Sequence, residues 1–172
     1  KTSNPLYWFL GGLSFLSCLI HCSYFVFYLV QYTSISGTYL SNRADENITE
    51  EDNAVYDRGE LSTLVYFLQR SHVFLYGWQD KAIEWFDRLS KRLGSKSKPQ
   101  RLSGNAWYGD KVFLTLISPL CLCTNNMLLV FFSLVDAIEF GFWFVVVVGN
   151  SYLFLLQVWK IIKARNNLIL EI

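Results

Sequence analysis

Residues 111–160 read KVFLTLISPLCLCTNNMLLVFFSLVDAIEFGFWFVVVVGNSYLFLLQVWK, and this stretch decides the fold. No charge falls between Lys111 and Asp136, and none between Glu139 and Lys160. Each run reaches the roughly 20 apolar residues that a helix needs to cross a hydrocarbon core. Only Asp136, Ala137, Ile138 and Glu139 separate them, so the two helices form an antiparallel hairpin. Pro119 removes one backbone hydrogen bond and predicts a break or kink two turns into the first run. Gly141, Gly149, Ser133 and Ser151 are small enough to let helices approach closely.

Working outward, the N-terminal block from Pro5 to Tyr32 carries no charge either. Tyr7 and Trp8 lie at one end of it, and Tyr28 and Tyr32 at the other, as an interfacial aromatic belt requires. Of the 172 residues, 52% are hydrophobic and 17% charged, so a chain of this size has too little polar surface for a soluble globule. The fold class is therefore all-α, a polytopic integral membrane protein. A further apolar stretch, 61–78, is interrupted by Gln69, Arg70, Ser71 and His72. An arginine at the bilayer centre costs about 2.5–3.5 kcal/mol on insertion scales, so this stretch either crosses within a bundle or lies at the interface.

Charge separates these alternatives. Segment 79–111 holds eight Lys and Arg, against two in the acidic segment 33–60. Cytoplasmic loops are the ones enriched in Lys and Arg. Four crossings place every basic segment on one side; three put the acidic and basic loops on the same face. The sequence thus predicts four transmembrane helices in one membrane domain: 5–32, 61–78, 112–135 and 140–160. An acidic outer loop (33–60), a basic inner loop (79–111) and a basic tail (160–172) join them, with both termini on the inner side. The outer loop contains the sequon Asn47-Ile48-Thr49, read as part of a solvated acidic loop. The inner loop opens with Ala82, Ile83, Trp85, Phe86, Leu89 and Leu93 at helical spacing, which predicts an amphipathic helix ending at Gly94. Its cations Arg88, Lys91 and Arg92, with Lys96, Lys98 and Arg101 beyond, are candidates for contact with lipid head groups or a partner.

Each expected span carries a strong polar group near mid-depth: His21 in the first, Gln69, Arg70 and His72 in the second, Asn125 and Asn126 in the third, Asn150 in the fourth. Polar groups in hydrocarbon turn toward a bundle interior, a partner or water. The favoured reading is hydrogen bonding across helices that fixes their register. A second reading makes His21 and His72 the axial ligands of a b-type haem. A third lines an ion or proton path with Arg70, His21 and the asparagines. Cys18, Cys22, Cys121 and Cys123 all lie in apolar blocks, without metal-ligand spacing, and read as small packing residues.

No nucleophile elbow, P-loop, zinc-protease or dinucleotide motif is present. The net charge of +1 gives no footing for nucleic acid. The function expected from sequence is a non-enzymatic accessory subunit of a larger membrane complex, respiratory or ATP-synthase-like. It would contact other transmembrane subunits and bind phospholipid, with the mitochondrial inner membrane favoured slightly over secretory membranes. The alternatives are the haem-binding anchor and a small channel or transporter subunit.

Overall fold

The computed structural model describes residues 5–37, 50–59, 62–94 and 107–170, with side chains throughout except at 50–53, 69, 72–76 and 167–170. It is all-helical, with no strand among the described residues. Helix α1 runs over Pro5–Ser36, α2 over Glu50–Asp57 and α3 over Thr63–Gly94. Helix α4 (Lys111–Ile117) passes through a 3-10 turn (Ser118–Leu120) into α5 (Leu122–Leu134). Helix α6 (Ile138–Trp143) continues through a π-helical segment (Phe144–Gly149) into α7 (Asn150–Leu170). The break at Pro119 is the one its sequence predicts.

Three helical stretches are long and apolar enough to cross a membrane: Pro5–Ser36, Lys111–Leu134 and Ile138–Asn166. Helix α3 is not among them. It fuses the expected 61–78 span with the expected amphipathic helix into one 32-residue rod. Arg70 in its first half, and the Gln79-Asp80-Lys81 run that follows, lower its apolar character. From Thr63 to Arg70 its described side chains are mostly exposed, so this stretch stands away from the bundle.

The turn between α5 and α6 is closed by its own backbone. Asp136 takes a left-handed conformation (φ 56°), while its N–H bonds Ser133 O at 3.2 Å and the Ala137 N–H bonds Phe132 O at 2.8 Å. This is the Schellman pattern, with Asp where Gly is commonest. Gly141 then lets α6 lie directly on α5, since a Cβ there would sit 2.9 Å from Phe132 Cβ.

Cross-helix contacts fix the helix directions. Ser17 and His21 of α1 meet Asn150 of α7, Tyr24 meets Gln157, and Tyr28 meets Lys160. The two helices therefore run parallel. Ser23 bonds Gln79, and Tyr28 bonds Asp87, so α3 also runs parallel to α1. Helix α4 opposes α7: Asp110 pairs with Lys163, Phe113 stacks on Trp159, and the Tyr152 hydroxyl bonds Leu116 O. Tyr7 and Gly11 pack against Phe142, beside the α5–α6 turn. The start of α1 and the end of α7 thus lie at opposite ends of the bundle. The expected four-span arrangement, with both termini on the inner side, would instead put them at the same end.

Asp110 caps α4 by accepting from the Val112 and Phe113 amides, and it accepts Lys163 Nζ at 2.6 Å. Partial burial alone would raise its pKa, but these hydrogen bonds and the lysine charge outweigh burial and hold it below the ordinary carboxylate value. A depressed folded-state pKa stabilises above the unfolded value of about 3.9 and is lost as pH falls through the folded value. We expect thermal unfolding in detergent to show an acid-side loss of stability below about pH 4 that Asp110→Asn flattens. An unchanged acid limb in that variant would dismiss this role.

Candidate functional site

The densest polar arrangement lies where the end of α1, the second half of α3 and the end of α7 converge. Asp87, on α3, is 2% exposed. Its Oδ1 accepts the Tyr28 hydroxyl at 2.6 Å and Trp107 Nε1 at 2.8 Å, and its Oδ2 accepts the Tyr108 hydroxyl at 2.7 Å. Lys91, one turn on, stands 3.7 Å from Oδ2 and donates to the Tyr108 hydroxyl at 2.7 Å. A buried carboxylate with three donors meets the usual condition for a charge inside a protein. Burial pushes the Lys91 ammonium below its ordinary value, and Asp87 offsets this only in part. The Tyr108 hydroxyl is held above its ordinary value by burial first and by Asp87 next, so it stays a donor.

Lys160 completes the cluster from α7. Its residue is 4% exposed, and its Nζ has no hydrogen-bond partner among the described residues. Instead it faces ring surfaces: Tyr28 at 3.7 Å, Trp107 and Phe113 at 4.3 Å, and Tyr108 at 5.5 Å from the centroids. This is an aromatic cage around an ammonium, and cation–π attraction is strongest where water is excluded. Asp87 sets the cage: three of the four rings are tethered to it by their own polar atoms, and its charge attracts Lys160. Tyr24 and Tyr28 reach the Gln157 side chain from below. Chemically the cluster holds charge and locks helices.

Deeper in the bundle, part of the expected polar layer meets. His21 is fully buried, its Nε2 lies 3.1 Å from Asn150 Oδ1, and Asn150 Nδ2 donates to Ser17 and to Val146 O. Asn125 is also buried and caps the broken backbone after Pro119, donating to Leu120 O and Cys121 O. Asn126 does not join them; it is exposed. Nor does Arg70, which is exposed and lies 3.5 Å from its own neighbour Tyr66. The side chains of Gln69 and His72 lie outside the described residues, as do Lys96, Lys98 and Arg101 and the sequon at Asn47. Of the expected head-group cations, Lys91 turns inward to Asp87 and Arg88 pairs with Glu84 along the helix. The four cysteines carry no disulfide, and only Cys18 is buried.

The π-helical segment ends at Gly149, where the His21 ring fills the place of a side chain. Gly149→Ala is expected to cost about 1–3 kcal/mol, as overpacking does, measured by thermal unfolding in detergent. In an His21→Ala background the same change should cost far less, because the overlapping ring is gone. Equal costs in both backgrounds would dismiss the wedge.

The chain matches no family model, no curated protein and no solved structure.

Proposed function

We propose that the protein is a non-enzymatic, three-span subunit of a larger membrane assembly, with the second half of α3 packed on the bundle at the Lys160 end. One observation carries this reading: a set of polar side chains turns inward while many large apolar ones turn outward. Met127 (73% exposed) and Leu134 (82%) on α5, with Phe140, Val147 and Phe154 on α6–α7, present a continuous apolar outside. His21, Asn150, Gln157 and Asp87 meanwhile hydrogen-bond within the bundle. That inversion suits lipid and neighbouring spans as the surroundings.

Charge supports the same topology. With spans at Pro5–Ser36, Lys111–Leu134 and Ile138–Asn166, every Lys and Arg of the sequence except Lys1 lies on the side where α7 ends. The α5–α6 turn on the other side has only Asp136 and Glu139. The positive-inside rule assigns the cytoplasmic or matrix face to the basic side. Three spans therefore satisfy the rule without requiring α3 to cross.

The haem reading draws less support, because Nε2 of His21 is taken by Asn150 and its ring is wedged on Gly149. The transport reading loses Arg70, which stands away from the bundle. Mitochondrial inner membrane and respiratory or ATP-synthase partners remain the proposed setting. Native-gel migration with identification of co-purifying chains tests the reading. A chain that migrates alone and conducts ions after reconstitution, or shows a reduced-minus-oxidised haem band, overturns it.

A further inference from the structure

The second half of α3 carries three separate faces. Gln79, Ile83, Asp87 and Ser90 are buried against the bundle. Trp78, Trp85, Leu89 and Leu93 form an apolar stripe that is 38–65% exposed, and no described element covers it. Lys81, Glu84, Arg88 and Arg92 form the third, charged face. A soluble helix would bury the second face and expose the first; here the order is reversed.

The height of this stripe is fixed by its neighbours. Arg165 of α7 donates to Leu93 O, and Lys163 pairs with Asp110 at the start of α4. The Leu93 end of the stripe therefore lies at the rim of the bundle, where the apolar spans begin and end, while Gln79 on Ser23 sets its Trp78 end deeper. Tryptophan is the residue enriched at that level of a membrane. In sequence the charge of this stretch is one-sided: residues 78–101 hold seven Lys and Arg against three acids, Asp80, Glu84 and Asp87, of which Glu84 pairs with Arg88 and Asp87 lies in the buried cluster. A narrow apolar stripe flanked by excess cations fits an anionic leaflet surface: the acyl boundary takes the tryptophans and leucines, and the phosphates take the cations.

We propose that residues 78–94 of α3 form an interfacial anchor whose apolar stripe enters the head-group boundary and whose basic rim selects anionic phospholipid. This rests on the three-span reading and adds the lipid class that the α3 rim recognises. Asp87 acts as its positioning residue, because it sets the rotation of α3 that turns Trp85 outward.

The test uses the full chain reconstituted in vesicles with brominated acyl chains, made of phosphatidylcholine alone or mixed with phosphatidylglycerol. Tryptophan quenching is compared among the parent, Trp85→Phe and Trp143→Phe, so that each residue's share is read by difference. Lipids retained on the purified chain are weighed by native mass spectrometry. We expect Trp85 to be quenched, more strongly with phosphatidylglycerol than without. Retained phosphatidylglycerol should exceed phosphatidylcholine, and the preference should fall roughly fivefold for each cation removed in Lys81→Gln and Arg92→Gln. Quenching of Trp143 without Trp85 would overturn the anchor and leave the spans standing, as would a co-purifying protein seated over Trp85. Equal retention of the two lipids in parent and variants would overturn the anionic selectivity. Quenching of neither tryptophan would overturn the three-span reading itself.

Discussion

Asp87→Ala is expected to lower stability by about 3–5 kcal/mol, the range for removing one partner of a buried charged cluster. The substitution strips the acceptor from Tyr28, Trp107 and Tyr108 at once, and it leaves Lys160 and Lys91 without the carboxylate between them. The Gln157 side chain, 3.5 Å from the Tyr28 hydroxyl, is a weak substitute acceptor. Asp87→Asn should fall short of the same loss, since one amide oxygen still accepts while its NH2 opposes a donor. The measurement is thermal unfolding in detergent, joined to trypsin cleavage at Lys81, Arg88 and Arg92. Faster cleavage on α3 than elsewhere would show that Asp87 fastens this helix to the bundle. An Asp87→Ala protein with parental melting and cleavage would dismiss the cluster as a lock.

How much of this was legible in the sequence depends on which physical rule was at work. The spanning stretches and their hairpin follow from length and the absence of charge, which leave a membrane helix little choice. The Pro119 break and the close approaches at Gly141 and Gly149 follow from local sterics, so single residues announce them. The meeting of His21 with Asn150 follows from the cost of lone polar groups in hydrocarbon. The burial face of α3 did not show. Its apolar spacing at Ala82, Ile83, Trp85, Phe86, Leu89 and Leu93 suggests one apolar side, and in a soluble protein that side would pack on the core. Beside lipid Trp85, Leu89 and Leu93 have no need of protein, and the helix is instead held by Gln79, Asp87 and Ile83. Gln79, Ile83, Asp87 and Ser90 do share a face at helical spacing. Tyr24, Tyr28, Trp107 and Tyr108 offer donors at the right ends of their segments, but only the fold brings them together. The direction of α1 relative to α7 did not show for another reason: counting loop charges favours an even number of crossings only where 61–78 is granted as a span.

Lys160 gives the sharpest test of the cage, because its three expected outcomes differ in sign. Lys160→Met keeps the stem that fills the space between Tyr28, Trp107 and Phe113 and removes an ammonium that no hydrogen bond among the described residues satisfies. The lost cation–π attraction, about 2 kcal/mol in a desolvated site, is set against relief of a desolvation cost of several kcal/mol. In the parent this change should be close to neutral. Lys160→Glu should be severe, since an anion would face four ring surfaces and the Asp87 carboxylate, and all of them repel it. The coupling decides the matter. Without Asp87, Lys160 becomes a buried cation repelled by Lys91 and attracted less strongly by Asp110, so Lys160→Met should recover part of the stability that Asp87→Ala removes. An interaction energy of about 1–3 kcal/mol in this double-mutant cycle is the expected result. Strict additivity would mean that Asp87 and Lys160 do not feel each other, and the charge lock joining α3 to α7 would reduce to the tethering of the three rings.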